Sequence, residues 1–147
     1  MRVKINDQLA MDKLLLRIRL DFRAEEKSAR FLFGGKTNEA MAETVREQQL
    51  NLLKNIPLQG VSFQDFDSSM DVYLMTDETD RRSRTVAYAP LVITLRADNI
   101  EDVLPFVLRP EFRKIEILGP ENLYLSKLEM ERLMFSISRM SQEKEEK

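Results

Sequence analysis

The chain contains no histidine, no cysteine and no tryptophan among its 147 residues. It therefore has no Ser-His-Asp triad, no cysteine nucleophile, no disulfide and no zinc site with histidine or cysteine ligands. We predict a non-enzymatic protein without catalytic residues, metal or cofactor. A carboxylate-dependent enzyme is the lowest-ranked alternative, because no cleft is predicted around its candidate residues Asp65, Asp67 and Asp71.

An excess of one charge sign and a long apolar run are also missing. The chain has 23 basic and 25 acidic side chains, a balance unlike that of a dedicated nucleic-acid-binding protein. No apolar run approaches the ~20 residues that span a bilayer, and residues 1–5 lack the apolar stretch of a signal peptide. We expect a soluble, cytoplasmic protein with no membrane partner.

Length and composition fit one folded domain. Apolar residues make up 43% of the chain and charged residues 33%, which is typical of a globular protein with a charge-rich surface. Most domains hold about 100–150 residues. We predict a single domain over residues 1–140, followed by a disordered charged tail over residues 141–147.

The spacing of apolar residues changes along the first half of the chain. Every second residue from Leu14 to Phe22 is apolar, which predicts a strand with one buried face. After Thr37 the spacing approaches 3.6, which predicts a helix capped by Thr37 or Asn38 and ended by Pro57. The predicted elements are strands over 14–22 and 31–33, a helix over roughly 38–54 and a short edge strand over 61–63.

The second half alternates strands and helices. Pro90 marks a bulge, an edge or a break in a long strand, and Ser126 with Glu129 forms a capping box at the start of the last helix. A short helix begins at Asp98 or Asn99, with Ile100, Val103, Leu104 and Val107 as its apolar face. The other predicted elements are strands over 70–76, 85–97 and 113–118, a hairpin loop over 77–84 and a helix from Ser126 to Met140.

This order of elements predicts an α+β fold, a two-layer sandwich of a mainly antiparallel sheet with about three helices. Each half repeats a hairpin followed by a helix, so a ferredoxin-like arrangement is one form that the fold can take. The short crossover between the strands over 85–97 and 113–118 requires either a right-handed parallel pair or a strand inserted between them.

The last helix has more apolar residues than one face can hold. Its main stripe is Leu128, Leu133, Met134, Ile137 and Met140. Met130 and Phe135 fall off that stripe, so a second apolar face either wedges into the chain's own domain or binds a partner. The predicted interface residues are Leu128, Met130, Met134, Phe135 and Ile137.

Two segments are candidate anion-binding sites. Lys36 and Thr37 follow two glycines and open a helix, where free backbone N–H groups favour phosphate. The segment lacks the first glycine of a phosphate-binding loop, however, and a glycine turn with a threonine cap is the simpler interpretation. The second candidate is the hairpin loop, whose arginines lie beside acidic residues that partly neutralise them. Its arginines are Arg81, Arg82 and Arg84.

The polar face of the first strand carries Arg17 and Arg19, for which pairing with acidic residues across the sheet is the preferred interpretation. The tyrosines Tyr73, Tyr88 and Tyr124 are interpreted as partial core, because tyrosine in strands most often packs that way.

Residues 91–135 contain Leu-Val-Ile-Thr-Leu-Arg, a short predicted helix and then Ile-Glu-Ile-Leu-Gly-Pro-Glu-Asn-Leu. This segment resembles the C-terminal extension of bacterial WYL-domain regulators, which has a closing strand and helix of the pattern VEVLEP..L. The resemblance implies a ligand-sensing or oligomerising regulatory module. It covers about a third of the chain, and the Trp-Tyr-Leu signature is missing because the chain has no tryptophan. We therefore assign no family from the sequence.

The sequence favours a non-enzymatic protein-interaction or regulatory domain, either homo-oligomeric or a subunit of a larger assembly. Its expected partner is a second copy or another protein. The alternative is a nucleic-acid accessory protein that binds phosphates through the arginine-rich hairpin loop.

Overall fold

The structure is a computed structural model, and it describes residues 2–5, 8–11, 13–25, 37–77 and 84–145. The strands in these ranges are β1 (Arg2–Ile5), β2 (Gln8–Met11), β3 (Leu14–Glu25), β4 (Val61–Asp67), β5 (Tyr73–Asp77), β6 (Arg84–Ala97) and β7 (Phe112–Gly119). The helices are α1 (Asn38–Asn55), a 3₁₀ helix (Ile100–Val103), α2 (Leu104–Val107) and α3 (Lys127–Glu145).

Five of the strands form an antiparallel sheet in the order β4-β6-β3-β7, and β5 also pairs with β6. Together with the helices, this sheet confirms the predicted α+β class. Strand β3 lies between β6 and β7, so the inserted-strand alternative for the crossover is the correct one. The two remaining strands, β1 and β2, form a separate antiparallel hairpin that the sequence patterns do not predict.

Element boundaries agree best where the apolar spacing is regular. β3 begins at Leu14 as predicted, and its alternate residues from Leu14 to Phe22 are buried. α1 covers Asn38–Asn55, one residue longer than predicted, and the Thr37 hydroxyl accepts a hydrogen bond from the Ala40 N–H at 3.1 Å as its N-cap. The strand predicted over 31–33 lies outside the described residues.

Several elements are longer or shorter than the spacing predicts. β4 covers Val61–Asp67, whereas only its first three residues were predicted as a strand, and it lies at one end of the sheet order. β6 continues through Pro90, whose side chain is fully buried, so the proline does not break the strand. α3 extends to Glu145, which makes residues 141–145 helical where a disordered tail was predicted.

The chain contains two compact units, and the single domain predicted over residues 1–140 stays a prediction. The first unit comprises Met1–Ile18, Leu58–Asp65 and Ile93–Lys147. The second unit comprises Arg19–Pro57 and Phe66–Val92.

In the second unit, α1 packs through small side chains. Met41 and Ala42 of the helix form a buried cluster with Ala24, Ala87 and Ala89 of the strands. Alanine leaves room for a helix backbone to approach a sheet closely, so this contact is short and apolar.

A polar contact also holds α1 in place. One guanidinium nitrogen of Arg46 donates hydrogen bonds of 3.0 Å to the backbone oxygens of Met70 and Pro90. Near the start of the helix, the Asn38 amide donates a hydrogen bond of 3.1 Å to the Thr85 oxygen. These side chains fix α1 through backbone oxygens in two segments of the second unit, β6 and the segment that contains Met70.

In the first unit, the 3₁₀ helix and α2 supply apolar side chains to the core. Val103, Leu104 and Phe106 are buried, and the ring of Phe106 meets that of Phe63 edge to face, with centroids 6.1 Å apart. Val103 and Leu104 are as predicted. Phe106 was not predicted to be buried, whereas Ile100 and Val107, predicted on the apolar face, are half-buried.

A glycine turn packs against the start of the 3₁₀ helix. Gly60 has a φ of +77°, and a Cβ at this position would clash with the Asp102 carboxylate, so both conformation and space require glycine. The Asp102 carboxylate accepts a hydrogen bond from the Asn99 N–H at 3.0 Å, and Asn99, one of the two predicted caps, is the N-cap residue that precedes the 3₁₀ helix.

Candidate functional site

The start of α3 is fixed by the predicted capping box. The Glu129 N–H donates to the Ser126 hydroxyl at 3.1 Å, and the Ser126 N–H donates to the Glu129 carboxylate at 3.4 Å. Two N–H groups that lack partners within the helix are satisfied in this way. The capping box therefore sets where the helix begins and, with it, which residues share a face.

The side of α3 that faces its own unit is narrow and partly polar. Ser136 is 7% exposed and is the one buried residue in the described part of α3. Glu129, Leu133 and Met140 are half-buried, and with Ser136 they follow a spacing of four, three and four residues that places them on one stripe. This stripe differs from the predicted one. Leu133 and Met140 are the two residues that belong to both.

Glu101 of the 3₁₀ helix is the polar anchor of this stripe. Its carboxylate accepts a hydrogen bond from the Ser136 hydroxyl at 3.3 Å and lies 3.6 Å from Arg132 Nε. The exposed Arg132 makes the second contact weak, because solvent screens it. The attachment of α3 to its own unit thus relies on a few contacts of which two are polar.

All five predicted interface residues lie on the surface of α3. Their exposed fractions are 63% for Leu128, 38% for Met130, 61% for Met134, 68% for Phe135 and 40% for Ile137. Met130, Met134 and Ile137 are spaced by four and three residues and share one stripe, whereas Leu128 and Phe135 share another. That these residues form an interface stays a prediction.

Strand β7 is a second apolar surface of the first unit. Ile115, Ile117 and Leu118 are exposed on it. Arg17, predicted to pair with an acidic residue across the sheet, lies 3.9 Å from Glu116 of β7.

A buried charged cluster in the second unit was not predicted. The Asp21 carboxylate is 1% exposed and accepts hydrogen bonds from Arg19 at 2.8 and 3.1 Å and from the Tyr73 hydroxyl. The hydrogen bond to Asp21 raises the pKa of Arg19. Arg19 therefore pairs within its own strand, and the alternation of Arg19 with Asp21 on one face is the sequence signal that points to this pair.

Tyr73 and Tyr88 complete this cluster. They are opposite each other in the β5–β6 register and stack with ring centroids 5.3 Å apart. Both are half-buried, as predicted, whereas Tyr124 is exposed. The described contacts satisfy the buried carboxylate and join neighbouring strands, which is a structural role.

The anion-binding candidates are only partly described. Thr37 is engaged as the N-cap of α1, in agreement with the simpler interpretation, and Lys36 lies outside the described residues. Arg81 and Arg82 also lie outside them, and Arg84 is described only as the first residue of β6, paired in register with Asp77. Phosphate binding by these arginines stays a prediction.

Of the three candidate carboxylates, Asp71 lies in the segment between β4 and β5. Asp65 and Asp67 lie in β4. The Ser69 hydroxyl and the Ser69 N–H donate to Asp67 at 2.6 and 2.9 Å, and these hydrogen bonds lower the pKa of Asp67. In the part of the chain that the structure describes, no three acidic side chains are grouped closely enough to hold a metal ion.

None of the helices within the described ranges combines the length and the apolar character needed to cross a bilayer. Comparison of the chain with protein-family models, with curated proteins and with solved structures found no match.

Proposed function

We propose that the chain is a non-enzymatic protein-interaction domain, and that another protein chain docks on the exposed side of α3. The observation that carries the proposal is the set of five large apolar side chains on that one helix, each at least 38% exposed. These side chains form two exposed apolar stripes on one helix, and large exposed apolar side chains grouped on a folded domain are typical of an interaction site.

The arrangement of α3 supports this proposal. The helix uses the stripe that contains Ser136 to contact its own unit, whereas Met130, Met134 and Ile137 are turned away from it. Each apolar side chain kept in water forgoes roughly 1.5–3 kcal/mol of burial free energy. A partner that covers them recovers that energy.

The side-chain types indicate the chemistry of the partner. Methionine is flexible and polarisable, so Met130 and Met134 adapt to irregular apolar surfaces. Phe135 supplies a large, rigid ring of the kind that anchors interfaces. We infer an apolar helix or groove on a protein as the occupant.

The test uses Phe135→Glu and Met130→Glu, with Asn51→Glu on the exposed surface of α1 as the control for an added charge outside the proposed docking surface. We expect both apolar-site variants to melt within a few degrees of the wild type, because neither Phe135 nor Met130 belongs to the buried core. Binding of an apolar fluorescent dye falls in these variants and stays unchanged in the control.

Light-scattering mass over a hundredfold concentration range, at low and high salt, then shows what docks. If the partner is a second copy, the wild type gains mass with concentration and the two variants do not. If it is another protein, a photo-crosslinker at position 135 forms an adduct of defined mass that Met130→Glu abolishes. Unfolding of Phe135→Glu, or dye binding equal to that of the wild type, contradicts the proposal.

A further inference from the structure

β7 lies at one end of the sheet order. Its one neighbour is β3, and no other strand in the described ranges pairs with its outer edge. Five of its eight residues are exposed. An uncovered edge strand presents a row of backbone donors and acceptors that can pair with another chain.

Proteins usually protect such an edge with charged side chains, especially lysine, or with a proline, a bulge or a very short strand. β7 carries the charged residues Arg113, Lys114 and Glu116. β7 has eight residues and contains no proline. Ile115 and Ile117 are 37% and 49% exposed, and isoleucine favours the pleated surface of a sheet. The edge is therefore long and regular enough to accept another strand.

The two faces of β7 differ in character. Glu116 lies 3.9 Å from Arg17 and 3.4 Å from Lys114, so Lys114 and Glu116 are on the face of β3 that carries Arg17. Successive residues of a strand point to opposite faces. Ile115 and Ile117 are therefore on the other face, which in the neighbouring β3 carries the buried Leu16 and Ile18.

We propose that β7 pairs antiparallel with β7 of a second copy of this chain, about a two-fold axis that passes through Ile115. In this register Lys114 of each copy is opposite Glu116 of the other, which gives two pairs of opposite charge on one face. On the other face the two Ile115 side chains meet. Cross-strand pairs of both kinds stabilise a sheet.

The charges select this register. In a paired sheet, directly opposite residues of the two strands point to the same face. With a two-fold axis perpendicular to the sheet, this holds only when the axis passes through the position of one residue and not between two. An axis through Lys114 places two lysines opposite each other, and an axis through Glu116 places two glutamates opposite each other. Both arrangements are destabilising. An axis through Ile117 gives no pair of opposite charges within the strand, whereas the axis through Ile115 gives two and places Arg113 opposite Ile117 on the other face.

The second copy is the occupant that this strand fits, since a self-paired strand requires self-complementary charges and β7 has them. The two-fold pairing also closes on itself, so it gives a dimer and not a fibre. The inference does not depend on what docks on α3, because it uses another element and other residues.

The test is a complementation experiment with Lys114→Glu and Glu116→Lys. In the proposed register, Lys114→Glu places glutamates opposite each other and Glu116→Lys places lysines opposite each other. We expect each variant alone to dissociate at a concentration at least about tenfold higher than the wild type. In an equimolar mixture, each altered side chain meets an opposite charge, so the mixture forms heterodimers.

Light-scattering mass measures dimerisation, and Glu121→Lys is the control for a change of charge outside the strand. The wild type and the control are expected to dimerise alike. The inference is overturned if the wild type stays monomeric up to millimolar concentration, or if the mixture does not recover the dimer. A dimer that both β7 variants retain, and that Phe135→Glu abolishes, also overturns it, while leaving the proposed function of α3 intact.

Discussion

The two long helices of this chain are similar in length and differ in what they bury. α1 has 18 residues and α3 has 19. Met41, Ala42 and Leu53 of α1 are buried in the second unit. In the described part of α3 the buried residue is a serine, and large apolar side chains are exposed.

The comparison separates a helix that completes a core from a helix that carries an apolar surface. α1 packs on alanines in a close apolar contact. α3 is attached through Glu101, which contacts Ser136 and Arg132. An amphipathic pattern therefore predicts a helix, but it does not predict whether the helix's own chain covers the apolar stripe.

The largest expected effect is the difference in unfolding free energy between two matched glutamate substitutions, Ala42→Glu and Met134→Glu. Ala42 is fully buried, so Ala42→Glu inserts a charge into a packed contact and costs about 3–5 kcal/mol of unfolding free energy. Met134 is 61% exposed, so Met134→Glu changes that free energy by about 0.5 kcal/mol or less. Urea denaturation measures both values.

A similar large loss in both variants removes the distinction between the helices. It would mean that Met134 is covered in solution and that its stripe belongs to a core.

A smaller effect is expected when the polar anchor of each helix is removed. Arg46→Ala deletes hydrogen bonds to two backbone oxygens, one of them on the fully buried Pro90, and costs about 1–3 kcal/mol. Glu101→Ala deletes contacts to Ser136 and the exposed Arg132, and costs about 1 kcal/mol or less.

Amide hydrogen exchange locates these effects. After Glu101→Ala, the amides of α3 exchange faster while those of α1 keep their protection, because only the attachment of α3 is weakened. Equally faster amide exchange in both helices contradicts the assignment of Glu101 as an anchor of α3 and not of α1.

The smallest expected effect concerns pH and the 3₁₀ helix that carries Glu101. Burial raises the pKa of Asp102 above its ordinary value of 3.8, against the hydrogen bond from the Asn99 N–H. The folded state therefore holds this proton more tightly than the unfolded state does, and stability falls as pH rises from the ordinary value through the raised one. Asp102→Asn removes this dependence.

We expect the stability of Asp102→Asn relative to the wild type to improve between about pH 4 and pH 7. Denaturation at several pH values measures the difference. A difference that stays constant over that range contradicts the assignment of the shift to burial of the carboxylate.

The elements that were predicted well have local signals. β3, α1, β6 and β7 begin within one residue of their predicted positions, because alternation or a 3.6-residue spacing is visible within each segment. β4 was predicted over only three residues because polar side chains interrupt it. The hairpin of β1 and β2 has no regular apolar spacing, so no pattern indicated it.

The candidate site was predicted in part. The exposed apolar residues of α3 were identified from their number, which exceeds what one face holds. The face of α3 that contacts the rest of the first unit was not predicted. It contains the polar residues Ser136 and Glu129, so its sequence pattern is not apolar. The edge position of β7 was also hidden, since strand order depends on pairings between segments that are distant in the chain.

The sequence by itself determined the periods of the main strands and helices, the α+β class and the residue types at each cap, because these depend on neighbours within about one or two turns. Only the tertiary structure decided that β3 lies between β6 and β7, that Asp21 is buried with Arg19 and Tyr73, and that α3 contacts its unit through Ser136. These depend on which distant segments meet, and the apolar pattern of one segment does not specify its partner.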